Sequence, residues 1–236
     1  MDMALDAIEY AMNRNPRPDP RHRIEHAVIS TQSALERTRD LGVTISTQPH
    51  GIYYLGDWFR ENWGEERANR VIPTRTYLDM GVPLSISSDC PTMLWWQPNF
   101  ILGSAVTRLN GITKKALNPD ECLTVEETLR AYTMGGAYAC QEEKIKGSLE
   151  AGKKADVVLV DLNTPLAMPV HKPVSALVYN LAARDVDTVI VDGKLHALGV
   201  RGVYWCGGGE NWGLEGPTYY TVARLTDDIG LDGQAL

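Results

Sequence analysis

The stretch "RHRIEHAVIS" (residues 21–30) decides how the fold is interpreted, because a strand pattern ends in it and a helix pattern follows at once. Its first half alternates charged and apolar residues up to His26, which favours a short buried strand. Ser30 and Thr31 then offer N-cap side chains for a helix that stops at Gly42. A histidine therefore stands where a predicted strand gives way to a helix.

Two further strand patterns follow along the chain. "VTISTQPH" (residues 43–50) is β-branched and alternating, and "VPLSISSD" (residues 82–89) is a third short apolar run. "TRTYLDMG" (residues 74–81) predicts a helix before the third strand. A capping box of Thr124 and Glu127 predicts another helix after it, "VEETLRAYTMGGAYAC" (residues 125–140). Strands that alternate with helices across short connections predict a parallel sheet with right-handed crossovers.

The pattern changes near Gly147, where short Val/Ile strands replace the alternation of strands and helices. An Asp192-Gly193 pair predicts a hairpin turn between two of these strands. The tail from His196 is rich in glycine and has no periodicity, so we assign it no regular structure. The sequence thus predicts three parts, residues 1–146, residues 147–195 and the glycine-rich tail 196–236.

Composition limits the classes of function. The chain has 236 residues, 23 basic against 30 acidic, and a formal net charge of -7 without a Lys/Arg block, which argues against a nucleic-acid surface. No stretch reaches the apolar length of a membrane span, and the acidic N-terminus is unlike a secretory signal, so we expect a cytoplasmic protein. The four cysteines show no CxxC spacing, which argues against a zinc knot.

Three polar side chains lie at the C-terminal ends of the three predicted strands: His26, His50 and Asp89. The carboxyl ends of parallel strands are where ligands and catalytic groups gather in α/β folds. Imidazole and carboxylate are good zinc ligands, and a carboxylate beside the metal can also carry a proton. Taken singly, a histidine after a strand is more often structural and an aspartate often a cap; their recurrence in step with the strands favours a site.

Five stretches, in this order, resemble the C-terminal half of the amidohydrolase superfamily, nearest its D-aminoacylase-like branch: "RHRIEHA", "TQPH", "GVPLSISSDCP", "TVEETLRAYTMGGAYAC" and "KGSLEAGKKADVVLVD". The resemblance extends from about residue 2 to about residue 195. It implies an α/β fold that contains the last three βα units of a (β/α)8 TIM barrel, followed by strands of a small β-sandwich.

The same resemblance implies a metal-dependent hydrolase of amide or other non-peptide C–N bonds. In that family pattern His26 matches a metal ligand, Asp89 a metal ligand and catalytic proton shuttle, and His50 a substrate-binding residue. The implied cofactor is a divalent metal, zinc above all, as one or two ions. The substrate would be a small molecule, and dipeptides, N-acyl amino acids, hydantoins and cyclic ureas all remain open.

The departures from the family pattern support a second hypothesis, a catalytically incomplete fragment. No HxH pair occurs in the chain, and neither the bridging lysine nor the strand-five histidine has a candidate. Three strands alone have open edges, so a homo-oligomer or a complementing N-terminal segment would have to close the barrel. A third hypothesis is a binding module whose ligand platform is made by tryptophans, although packing explains them equally well: Trp58, Trp63, Trp95 and Trp96.

Overall fold

The computed structural model describes residues 1–93, 95, 97–163, 170, 172–179, 181, 185–198, 203–207 and 217–221. The chain divides into two compact units, residues 1–148 and residues 149–236. The three-part division drawn from the sequence stays a prediction.

The first unit alternates strands with helices. Its elements are α1 (Asp2–Arg14), β1 (Arg23–Glu25), α2 (Gln32–Asp40), β2 (Thr44–Thr47), α3 (Gly51–Trp63), α4 (Glu65–Ala68), α5 (Thr74–Asp79), β3 (Leu84–Ile86), α6 (Pro98–Thr107), a 3₁₀ helix (Pro119–Glu121), α7 (Val125–Tyr132) and α8 (Met134–Ala139). Among these elements, no helix combines the length and the apolar character that crossing a bilayer requires.

The three strands form one parallel sheet in the order β1, β2, β3. Ile24 of β1 lies opposite Ile45 of β2, and Ser46 of β2 lies opposite Ser85 of β3. All four residues of β2 are buried, as expected of a central parallel strand that is covered on both faces. The predicted α/β class with a parallel sheet is confirmed.

The main core packs helices against this sheet. Ile45, Leu84 and Ile86 from the strands meet the fully buried Tyr77 of α5 and Ile101 of α6. Burial of such side chains contributes roughly 1.5–3 kcal/mol each before conformational entropy is counted. The sheet therefore packs against α5 and α6, and this packing stabilises the strands whose carboxyl ends carry the candidate site.

The helix predicted over residues 125–140 is two helices, so that prediction is wrong in one respect. Its capping box is confirmed: Thr124 Oγ1 accepts from the backbone N–H of Glu127, and the Glu127 side chain accepts from the backbone N–H of Thr124. The helix is interrupted at Thr133, which has φ -103° and ψ -74° and separates α7 from α8. The break lets Gly135 approach the backbone of Leu84 more closely than a residue with a Cβ atom allows.

The second unit contains β4 (Val157–Val160), α9 (Pro173–Tyr179), β5 (Val186–Val191), β6 (Lys194–Leu198), β7 (Val203–Gly207) and β8 (Pro217–Thr221). β4, β5 and β6 form an antiparallel sheet in that order. The predicted hairpin turn joins β5 to β6, and its Asp192 and Gly193 have φ of 53° and 73°, the positive values that a tight hairpin turn requires.

The tail prediction is wrong for part of its length. The sequence predicts no regular structure from His196 onward, whereas β6 continues to Leu198 and β7 pairs antiparallel with β8. Aromatic and β-branched residues such as Tyr204, Trp205 and Tyr220 favour strands, and the many neighbouring glycines concealed that preference. The strands of a small β-sandwich stay a prediction.

Candidate active site

The carboxyl ends of the three strands meet in a hydrogen-bonded row of side chains. His26 follows β1, Gln48 follows β2 and Ser87 follows β3. Gln48 Oε1 lies 2.9 Å from His26 Nδ1, and Gln48 Nε2 lies 2.7 Å from Ser87 Oγ. One amide thus connects the ends of all three strands.

The backbone of His26 is also held by β2. Its φ is 65°, in the left-handed region, where a histidine is uncommon and needs support from its surroundings. The N–H of His26 donates to Ser46 O at 2.8 Å, and its carbonyl accepts from Thr47 Oγ1 at 2.8 Å. The ring is exposed, and its Nε2 meets no hydrogen-bond partner among the described residues.

His50 occupies a different environment, an aromatic pocket at the start of α3. Its ring is fully buried and meets the rings of Tyr54 and Phe100 edge-on, with centroids 6.4 and 6.3 Å away. Neither ring nitrogen has a hydrogen-bond partner within the described residues; the Ser88 backbone lies near the ring but outside hydrogen-bond geometry. Loss of solvent lowers the pKa of His50, and the Ser88 backbone and the Asp89 carboxylate act in the opposite direction.

Asp89 lies just past the end of β3 and is half-buried. Its φ is 51°, and its backbone carbonyl accepts from the N–H of Thr92 at 2.8 Å and from that of Met93 at 3.2 Å. Its carboxylate is near enough to His50 to act on the charge of that ring. The loop after β3 therefore holds the backbone of Asp89 in a turn in the neighbourhood of the buried His50.

The two predicted metal ligands, His26 and Asp89, are not part of a complete metal site among the described residues. In the part of the chain that the structure describes, no group of three or more His, Cys, Asp and Glu side chains lies close enough together to hold one metal ion. The donor chemistry nevertheless fits a metal, because His26 keeps one ring nitrogen unengaged and Asp89 offers carboxylate oxygens. The assignment of His26 and Asp89 as metal ligands therefore stays a prediction.

The three tryptophans of the hypothesis that the structure describes do not form one platform. Trp58 and Trp63 meet each other on α3 at 5.6 Å between ring centroids, whereas Trp95 meets Tyr53 at 5.7 Å and Phe100 at 5.3 Å. The two groups share no ring contact in the described part of the first unit. The fourth tryptophan of the hypothesis, Trp96, lies outside the described residues.

Sequence reasoning missed Gln48 and Ser87, which join the strand ends. The signal was present only in part: both residues lie within the predicted strand stretches, residues 43–50 and 82–89, whereas in the structure the strands end earlier and each residue directly follows its strand. Neither residue is a typical metal ligand, so a search for His, Asp and Glu passes over them. Their hydrogen bonds become visible only when the register of the three strands is known.

Comparison with known proteins gives the family. A model of the amidohydrolase family matches residues 1–197, and the chain therefore belongs to the amidohydrolase family. The D-aminoacylase-like branch stays a prediction.

Individual relatives agree with this assignment. An N-substituted formamide deformylase from Arthrobacter pascens is 33% identical over 196 residues, which cover 83% of this chain and 34% of that protein. A 5-methylthioadenosine/S-adenosylhomocysteine deaminase from Thermoanaerobacter pseudethanolicus is 46% identical over 129 residues, which cover 54% of this chain and 29% of that protein.

A solved structure supports the same fold. An uncharacterized metal-dependent hydrolase from Pyrococcus horikoshii superimposes with a TM-score of 0.56 at 33% identity, covering 65% of this chain and 30% of its own. The chain thus spans about a third of the length of the relatives that it matches.

Proposed function

We propose that the chain carries the C-terminal part of the active site of a metal-dependent hydrolase that acts on an amide or another non-peptide C–N bond of a small molecule. Membership of the amidohydrolase family supports the reaction class. The observation that carries the assignment of the site is the row at the strand ends, where His26 is held by Gln48 with its second ring nitrogen unengaged.

The relatives support the kind of bond. Two of them are a deformylase of N-substituted formamides and a deaminase of 5-methylthioadenosine and S-adenosylhomocysteine, and the matching solved structure is a metal-dependent hydrolase. The deformylase and the deaminase share a reaction at a C–N bond of a small substrate, and we extend both properties to this chain.

In this proposal His26 and Asp89 are metal ligands, and the metal is zinc, as one or two ions. A divalent metal, when bound, polarises the scissile group and makes water acidic enough to act as a nucleophile near neutral pH. Imidazole nitrogen and carboxylate oxygen suit zinc, which takes about three protein ligands in an open site. Further ligands then have to come from outside the described set.

The residues of this chain have separate tasks. Asp89 takes a proton from the attacking water and returns it to the leaving nitrogen, which is general base and then general acid catalysis. His26 contributes its free ring nitrogen to the metal. His50 is the substrate-binding residue of this proposal: burial lowers its pKa and so favours the neutral ring, and neither ring nitrogen has a hydrogen-bond partner among the described residues.

A second candidate is a catalytically incomplete chain. It is supported by the absence, within the described residues, of any three-ligand group. The edges of β1 and β3 pair with no further strand in the described part of the first unit. A second copy of the chain, or a complementing N-terminal segment, would then supply the missing strands and ligands.

Metal analysis of the purified protein tests the proposal. We expect near-stoichiometric zinc in the unaltered chain, and loss of that zinc in His26→Ala. The matched control is His22→Ala, which removes a half-buried histidine four residues earlier and should leave the zinc content unchanged. A metal-free protein, whose stability is the same with and without His26, would favour the incomplete chain.

A further inference from the structure

We propose that Gln48 is a positioning residue that holds the His26 ring in the tautomer protonated at Nδ1, so that Nε2 keeps its lone pair for a metal. The assignment of the tautomer rests on geometry alone, whereas its use in metal binding rests on the function proposed above. Gln48 was not among the residues that the sequence singled out.

The first step is the orientation of the amide. Gln48 is only 6% exposed, so its polar ends need partners inside the protein. Its Nε2 donates to Ser87 Oγ at 2.7 Å, which leaves Oε1 facing His26 Nδ1 at 2.9 Å. A carbonyl oxygen only accepts hydrogen bonds, so the ring nitrogen that faces it has to carry the proton.

Ser87 fixes the orientation of the Gln48 amide by accepting from its Nε2. Ser46 Oγ also points at Ser87 Oγ, at a longer 3.5 Å, so the serine oxygen serves as an acceptor for the end of β2. Ser46 lies opposite Ser85 in the sheet register, and Ser87 is two residues beyond that position. Ser87, which accepts from the Gln48 amide, therefore lies at the carboxyl end of β3, in register with the end of β2.

Hydrogen bonds from the end of β2 also restrict the orientation of His26 relative to Gln48. Three consecutive residues of the β2 end bind it: Ser46 accepts from its backbone N–H, Thr47 donates to its carbonyl, and Gln48 binds its ring. Histidines that bind metals generally donate their other ring N–H to a fixed acceptor, which sets the tautomer and the ring direction. Gln48 supplies that acceptor here.

Two substitutions separate the proposal from a merely structural role. Gln48→Glu keeps an acceptor beside Nδ1, since a carboxylate accepts from the ring and also from the Ser87 hydroxyl. Gln48→Leu keeps the bulk and removes the acceptor, so the ring should revert to the Nε2–H tautomer. Ser87→Ala releases the amide from its anchor and should give a mixture of the two tautomers.

The experiment is ¹⁵N NMR of the histidine rings in the full, metal-free chain at about pH 8, where a histidine of ordinary pKa is neutral. The His26 signals are identified by their loss in His26→Asn. We expect the Nδ1–H form in the unaltered protein and in Gln48→Glu, and the Nε2–H form in Gln48→Leu, with the His22 signals unchanged throughout. The Nε2–H form in the unaltered protein, or no change in Gln48→Leu, would overturn the proposal.

Zinc affinity gives the second readout. We expect Gln48→Leu to bind zinc about 10- to 100-fold more weakly, and Gln48→Glu to bind it as the unaltered chain does. If Gln48→Leu fails to fold, Ser87→Ala takes its place in both measurements. If the unaltered chain binds no zinc while the tautomers behave as expected, the proposed function fails and the positioning role stands. Zinc binding that Gln48→Leu leaves unchanged would overturn the link to the metal.

Discussion

Arg75 and Glu127 form a two-point ion pair that joins α5 to the first turn of α7. Arg75 Nη1 donates to Glu127 Oε1 at 2.9 Å, and its Nη2 donates to the other carboxylate oxygen. The same carboxylate accepts the N–H of Thr124 at 2.8 Å and so closes the capping box of α7. Glu127 therefore ties the start of a helix to a neighbouring helix of the core.

This pair predicts a pH-dependent contribution to stability. The Arg75 guanidinium lowers the pKa of Glu127 to about 2, against about 4.3 for an unperturbed glutamate. The stabilisation is fully present above about pH 4.3, and it is lost as the pH falls through about 2, because protonation then ends the pairing. Glu127→Gln should lower the free energy of unfolding by about 1 kcal/mol at pH 7, a value discounted for partial exposure.

The measurement is urea unfolding followed by circular dichroism at several pH values between 7 and 3. Glu126→Gln is the matched control, since it removes the same charge from the same helical turn at an exposed side chain. The difference between unaltered protein and Glu127→Gln should shrink with falling pH, whereas the Glu126→Gln difference should stay within about 0.5 kcal/mol. A Glu127→Gln difference that is independent of pH would contradict the expectation.

A glycine in α8 predicts a steric effect on the strand that leads to Asp89. A Cβ atom added at Gly135 would lie 2.2 Å from the carbonyl oxygen of Leu84 and 3.2 Å from the Cα atom of Ser85. Both atoms belong to the backbone of β3, so relief requires helix and strand to move apart. Gly135→Ala should lower the free energy of unfolding by about 2 kcal/mol, as overpacking of a core does.

The neighbouring glycine provides the control. At Gly136 the nearest atom to an added Cβ is Ser85 Oγ at 3.9 Å, an ordinary contact. Gly136→Ala should therefore leave stability unchanged or raise it by up to about 1 kcal/mol, since alanine suits a helix better than glycine. Thermal unfolding of the two variants side by side checks the pair, and equal effects would show that the close approach to β3 has no energetic consequence.

Local patterns predicted most of the first unit. Cap residues placed α2 and α7, and strand patterns placed β1, β2 and β3, because each signal depends on neighbours in sequence. α3 was missed: its 13 residues follow His50 directly, and their aromatic content concealed a helical spacing of buried residues. The buried Arg108 was also missed, since only the fold brings its guanidinium to the carbonyls of Val71, Ile72 and Leu117.

The site was predictable in part for a similar reason. Parallel strands align their carboxyl ends, so residues that follow strands could be named from sequence. Which of them face each other depends on register and on loop paths, and these brought His26 to Gln48 and placed Asp89 near the buried His50. A search restricted to metal-ligand types could not have identified the amide that joins the strand ends.

The burial of His50 without hydrogen-bond partners among the described residues predicts that this histidine lowers the stability of the fold. A buried polar group without a partner costs roughly 1–3 kcal/mol, and both ring nitrogens of His50 are of this kind within the described residues. His50→Leu keeps apolar bulk against Tyr54 and Phe100 and removes both nitrogens, so at pH 7 it should raise the free energy of unfolding by about 1 kcal/mol. The half-buried His22, changed to leucine, should shift stability by less than about 0.5 kcal/mol. Urea unfolding of both variants is the check: a gain of stability in His50→Leu is the expected result, and a clear loss would mean that the histidine ring stabilises the fold.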